Sequence, residues 1–211
     1  MKKFTVLLIG LFFTVNLFSQ DMSEIFQTEK ATWFGLDYSE AYFIGSEGFT
    51  NPSDIKDRYF NSWNLLIKNE YEKYNLGKFF KKSKVEISLD NVNAVNQEVN
   101  IYDRVIDDNG KMLHLDDAKV QEMINKYNFT EDQEGLGIVF IVESYSKTAV
   151  IANYFVTFFD IKTKKVLLTE RMEGKPGGFG LRNYWARSYY NVFNTIYKKR
   201  YKAWAKKYNK K

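Results

Sequence analysis

One histidine, His114, and no cysteine leave this chain few routes to nucleophilic or thiolate chemistry. A Ser-His-Asp or Cys-His arrangement would have to be built around that single imidazole, and no G-x-S-x-G turn accompanies it. Asp116 and Asp117 follow closely, but one His with two adjacent acids before an apolar stripe reads as a capped helix beside a surface imidazole. No metal is expected there. The run Asp107-Asp108-Asn109-Gly110 lacks the alternating acids and distal Glu of a calcium loop and reads as a hairpin turn. Carboxylates are what remains for catalysis. Glu143 interrupts an otherwise apolar strand on the face of Val139, Ile141 and Tyr145, where burial could raise its pKa, and Asp37 could supply a second carboxylate. Two carboxylates flanking a sugar are the minimum for glycosidase-like hydrolysis. A Glu near a strand end that reaches water or pairs with a lysine is the simpler reading, so Glu143 and Asp37 stand as weak catalytic candidates. No cofactor is expected.

Binding chemistry is better represented. The loop Gly174-Lys175-Pro176-Gly177-Gly178-Phe179-Gly180 precedes a helix, whose free N–H groups and dipole can hold an anion, with Lys175 and Arg182 adding charge. Lys175, Gly177, Gly178 and Arg182 are therefore the candidate ligand-binding residues. The loop fits neither the P-loop nor the dinucleotide fingerprint. Near the C-terminus Phe193, Tyr197, Tyr201, Trp204 and Tyr208 recur as an aromatic stripe among Lys198, Lys199, Arg200, Lys202, Lys206, Lys207, Lys210 and Lys211, with no acid among them. The stripe is expected to pack on the protein's own sheet, leaving solvated lysines that could meet an envelope protein, an anionic membrane surface or an acidic polymer. No nucleic-acid motif accompanies the charge.

These groups need elements to position them. Thr32 to Tyr38 reads as a first strand, and Asn51-Pro52 starts a helix whose apolar positions run from Ile55 to Tyr74, stopping before Gly77. Val85, Ile87 and Leu89 alternate with polar residues as a half-buried strand. Val99, Ile101 and Val105 suggest another, turning at Asn109-Gly110 into Met112 to Leu115. Asp116 or Asp117 caps a helix bearing Val120, Met123, Ile124 and Tyr127. Leu136 to Tyr145, Val150 to Ile161 and Val166 to Met172 read as an antiparallel meander, and a long helix runs from about Leu181 to Tyr208. The expected fold is α+β: a two-layer sandwich of about three helices on a mixed, mainly antiparallel sheet.

The amino end gives the address. Met1-Lys2-Lys3, an apolar run from Phe4 to Phe18 and Ser19-Gln20 match a secretory signal cleaved near Ser19, which places residues 20–211 in the periplasm or outside the cell as one domain. Only two prolines occur, and no linker divides the rest.

The stretch from Tyr154 to Leu167, with its Asp160-Ile161-Lys162-Thr163 turn, followed by Gly177 to Trp185, resembles a segment of small exported bacterial proteins of unknown function. That resemblance implies export and no activity. In element order and its strand–Asp–turn–strand pattern the chain is also similar to the periplasmic α/β domains of penicillin-binding-protein activators and curli-secretion lipoproteins. Those are usually tethered through a lipidated Cys, which this chain does not have. The combined expectation is a non-enzymatic binding or accessory protein of the cell envelope. The alternatives are a carboxylate-based hydrolase and a small-anion binder at the glycine loop.

Overall fold

The computed structural model describes residues 22–108, 110, 112 and 114–209. The export signal, Asn109 of the expected turn, and Lys210 and Lys211 lie outside the described residues.

Strand β5 (Leu136–Ser146) is buried along its whole length, so it must be covered on both faces and both edges. On one edge β6 (Ile151–Asp160) and then β7 (Val166–Gly174) follow antiparallel, as the short connections predict. The other edge is filled by two strands laid end to end. β1 (Lys30–Asp37) runs parallel beside residues 137–141, and β2 (Tyr42–Ile44) runs parallel beside 144–146. A tight turn between them is closed by the Ala41 N–H donating to the Tyr38 carbonyl at 3.0 Å. Outside this broken line, β3 (Lys84–Ile87) pairs parallel with β1, and β4 (Val105–Ile106) pairs parallel with β2.

This corrects the expected fold class. The first five strands are all parallel, so the protein is α/β, and the antiparallel part is confined to the β5–β7 meander. Parallel neighbours require crossovers, and the helix that makes one of them was not legible. Helix α3 (Asp90–Gln97), between β3 and β4, has the sequence DNVNAVNQ, whose Asn and Val residues are weak helix formers. Tertiary bonds hold it instead: Asn91 accepts from the Asn128 N–H, and Asn96 bonds both the Tyr38 N–H and the Leu36 carbonyl. The strand expected over Val99 to Val105 is broken by a 3-10 turn at Ile101–Asp103. Among the described residues no hairpin partner returns to β4, which pairs with β2 alone.

The remaining helices complete three layers rather than two. Helix α1 begins at Pro52–Asp54 under an Asn51 cap, widens into a π-helical segment at Ile55–Phe60 and continues as Asn61–Asn69. It ends earlier than its apolar spacing predicts, and Gly77 lies inside a separate short helix, α2 (Leu76–Phe80), capped by Asn75. Helix α4 (Asp117–Asn125) is capped by Asp116, which accepts from the Lys119 N–H at 2.8 Å. Helix α5 (Leu181–Thr195) continues through a π-helical segment, Ile196–Arg200, into Tyr201–Tyr208.

Helices α1, α2 and α5 cover one face of the sheet, where Trp63, Phe80, Trp185 and Phe193 meet Trp33, Phe140, Tyr145 and Tyr154. Helices α3 and α4 cover the other, with Val92, Val120, Ile124 and Tyr127 against Phe34, Val139, Ile141 and Phe159. A buried chain of hydroxyls, Tyr38 to Tyr145 to Tyr154 to Ser188, stitches the first face to α5.

Candidate functional site

The two carboxylates singled out in the sequence lie on the same face of the sheet. Asp37 pairs in register with Ile141, and Glu143 stands two residues further along β5. Both are sealed, at 0% and 1% exposure. Asp37 ends β1 and accepts from the Ser39 N–H at 2.8 Å and from the Tyr127 hydroxyl at 2.7 Å. Burial pushes its pKa up, while the Ser39 and Tyr127 bonds oppose the shift. Burial, reinforced by the Asp37 charge, lifts the Tyr127 phenol well above its ordinary value.

Glu143 occupies a bulge between Val142 and Ser144, and the extra residue returns Tyr145 to the opposite face, away from the glutamate it was expected to accompany. Arg171 donates to Glu143 Oε2 at 2.7 Å, and the Leu115 N–H donates to Oε1 at 3.3 Å. His114 Nδ1 lies 3.5 Å from the same Oε1, on the exposed side. The glutamate thus neither reaches water nor pairs with a lysine: it is sealed and held by an arginine. Its oxygens tie the 114–115 segment to the sheet, and among the described residues no His/Asp/Glu group could hold a metal ion. Neither carboxylate is open to a sugar ring, which an acid–base pair must flank.

A third acid was not anticipated. Burial pushes Glu40 up, but Arg104 at 2.7 Å, with Lys119 and Lys126 at 3.5 and 3.7 Å, outweighs it and leaves the pKa lowered. This cluster braces the β1–β2 turn against α4.

The glycine loop is arranged differently. Gly174 touches α5, where an added Cβ would stand 2.2 Å from the Ser188 carbonyl oxygen. Lys175 accepts at its carbonyl from Asn191 Nδ2, and the Gly177 N–H donates inward to the Tyr184 carbonyl at 2.9 Å. These bonds turn the first half of the loop toward its own helix. Gly178 and Gly180 then adopt φ of 102° and 76°, and between them Phe179 is held out at 95% exposure. It is the only exposed phenylalanine among the described residues.

The start of α5 has no side-chain cap and no acid in its first turn. Arg182 anchors the helix to α1 through its carbonyl, which accepts from Trp63 Nε1 at 3.0 Å, and its side chain is exposed. Arg58 and Tyr59, from the π-helical segment of α1, complete a shallow cleft of about 300 Å³ with Phe179, Arg182 and Asn183. Of the four predicted binding residues, Arg182 lines this cleft and Gly178 shapes it. Gly177 uses its amide internally, and Lys175 sits at the far end of the loop. Phe179 and Arg58 were missed. A phenylalanine isolated between glycines, outside any apolar period, was the available signal for the first; Arg58 had none, because only the fold brings α1 to this loop.

The terminal helix follows its pattern only in part: of the expected aromatic stripe Tyr197 is exposed and Tyr208 only half-buried. Phe193, Tyr201 and Trp204 are buried against the sheet and α2, while Lys198, Lys199, Lys202, Lys206 and Lys207 are exposed and enter no ion pair among the described residues. Arg200 is held by Glu170, which also accepts from Trp204 Nε1 at 2.6 Å. No family model, curated protein or solved structure matches the chain.

Proposed function

We propose that the protein is an exported, non-enzymatic binding module of the bacterial cell envelope that docks on its partner through Phe179 and the flanking arginines Arg58 and Arg182. The observation that carries this reading is the exposure of Phe179 in a loop held by backbone bonds and two glycines of positive φ. Burying that ring against a partner would contribute roughly 2–3 kcal/mol, and the rim of cations beside an uncapped helix start selects an acidic surface. The two sealed carboxylates support a structural role for Asp37 and Glu143 rather than hydrolysis.

Photocrosslinking from the native host tests it. With p-benzoylphenylalanine at position 179, a discrete crosslinked species is expected in the envelope fraction, and the same probe at Tyr71, itself 69% exposed, should give none. The mature chain recovered from that fraction should begin near Gln20. A crosslinking pattern identical at both positions, or absent at 179, refutes docking through the loop.

A second reading rests on a different observation. Lys198, Lys202 and Lys206 follow at four-residue intervals along the solvent side of α5 without an acidic partner. Attachment to an anionic lipid surface through this row would be mainly electrostatic, because Phe193, Tyr201 and Trp204 are already buried against the protein's own core. Co-sedimentation with phosphatidylglycerol vesicles should then fall as salt rises and be lost when all three become Glu.

A further inference from the structure

Helices α1 and α3 enclose a groove whose lining shares no residue with the glycine-loop cleft or the terminal helix. Two adjoining hollows of about 490 and 510 Å³ share Lys56, Asp57 and Gln97 and together form one trough, within the size range of small-ligand sites. Three of its residues, Lys56, Asp57 and Phe60, come from the π-helical segment of α1, a distortion frequently found at functional sites.

The chemistry of the walls is specific. The side-chain amides of Asn61, Asn93 and Gln97 make no hydrogen bond to another described residue, although Asn93 is half-buried. Nearby amides behave otherwise: Asn64 and Asn96 use both their oxygen and nitrogen on the backbone of β1 and the residue after it. Each free amide offers two N–H donors and an acceptor oxygen in one plane, the pattern that vicinal hydroxyl groups satisfy. Charge gives no purchase to an ion, since Lys56 and Asp57 cancel and the Lys56 ammonium already donates to the Val99 carbonyl at 2.8 Å. At the outer end stands Tyr102, 68% exposed, whose ring face can cover the C–H face of a sugar.

We infer that this groove binds a neutral oligosaccharide, its hydroxyls read by Asn61, Asn93 and Gln97 and one ring stacked on Tyr102. The site is independent of docking through Phe179, and the test separates the two.

Saturation-transfer NMR on the mature protein with chitotriose, cellotriose and maltotriose is the direct measurement, followed by calorimetric titration of whichever responds. At least one probe is expected to bind with Kd of about 1 mM or tighter. The Asn61→Ala/Gln97→Ala variant should weaken it about tenfold, as expected when two hydrogen bonds to a ligand are removed. Phe179→Ala should bind unchanged. Circular dichroism and the urea midpoint establish that each variant is folded. No saturation transfer to any of the three probes at about 10 mM, or an unaltered Kd in the folded amide variant, overturns the proposal.

Discussion

Two regions of this protein use the same kinds of side chain in opposite ways. Inward of α3 and α4, Asp37, Glu143 and Asn96 are buried and each polar atom is met from within: by Tyr127 and Ser39, by Arg171 and Leu115, or by the backbone of β1 and Tyr38. Along the α1–α3 groove and at the glycine loop, Asn61, Gln97 and Phe179 are left without internal partners. A buried polar group must be satisfied or the fold suffers, whereas an exposed one carries little of the stability and remains free for contact. The first region should therefore respond to mutation in stability and the second in binding.

The largest effect should come from Arg171→Met, which strands the Glu143 carboxylate at 1% exposure. About 2–4 kcal/mol should be lost in urea unfolding, and adding Glu143→Gln should restore most of it. A loss below about 0.5 kcal/mol would break the comparison at its buried end.

Lys82 comes next. It is 6% exposed, clamps the 22–29 segment by donating to the carbonyls of Ile25 and Thr28, and burial lowers its pKa to about 8 from 10.5. Below pH 8 the native state carries the full cost of a buried ammonium. Between pH 8 and 10.5 the unfolded chain holds the proton that the native chain releases, so stability must rise with pH across that window. Relative to Lys82→Met, the wild type should gain about 1–3 kcal/mol from pH 7.5 to 10.5. A flat difference would place the ammonium in water.

Asp37→Asn tests the same region more gently. Because burial raises the native pKa above 3.8, the carboxylate's cost is present at neutral pH and disappears as pH falls toward 3.8. The variant should exceed the wild type in thermal midpoint at pH 7 and lose that advantage in acid. Smallest of all, Phe179→Ser and Asn61→Ala should shift stability by no more than about 0.5 kcal/mol. A larger cost would mean that these side chains are structural after all.

Much of the chain was legible where local chemistry decides. The β5–β7 meander followed from apolar runs joined by connections too short for a crossover, and the cap at Asn51 and a cap at one of the pair Asp116 and Asp117 followed from side chains that reach their own helix starts, the fold choosing Asp116. The glycine loop was recognised, but of its cleft-lining residues only Arg182 was, because which groups of the loop turn inward depends on Tyr184 and Asn191 of the following helix. Likewise the apolar spacing of 55–74 reads as one helix, while packing ends α1 at Asn69 and starts α2 across Gly77.

What the amino-acid sequence determined by itself is the list of segments with strong local periods: β1, β3, the meander, α4 and the buried stripe of α5. Their direction and company were decided in three dimensions. Helix α3 exists because Asn91 and Asn96 find partners on β1, on Tyr38 and on Asn128, and it forms part of the long connection that brings the chain from β2 back to run parallel beside it as β4. The bulge at Glu143 sets which face Tyr145 takes, and the meeting of α1 with the loop before α5 puts Arg58 beside Phe179. Hydrogen bonds between residues distant in the chain leave no period in the sequence, so only the folded chain could reveal them.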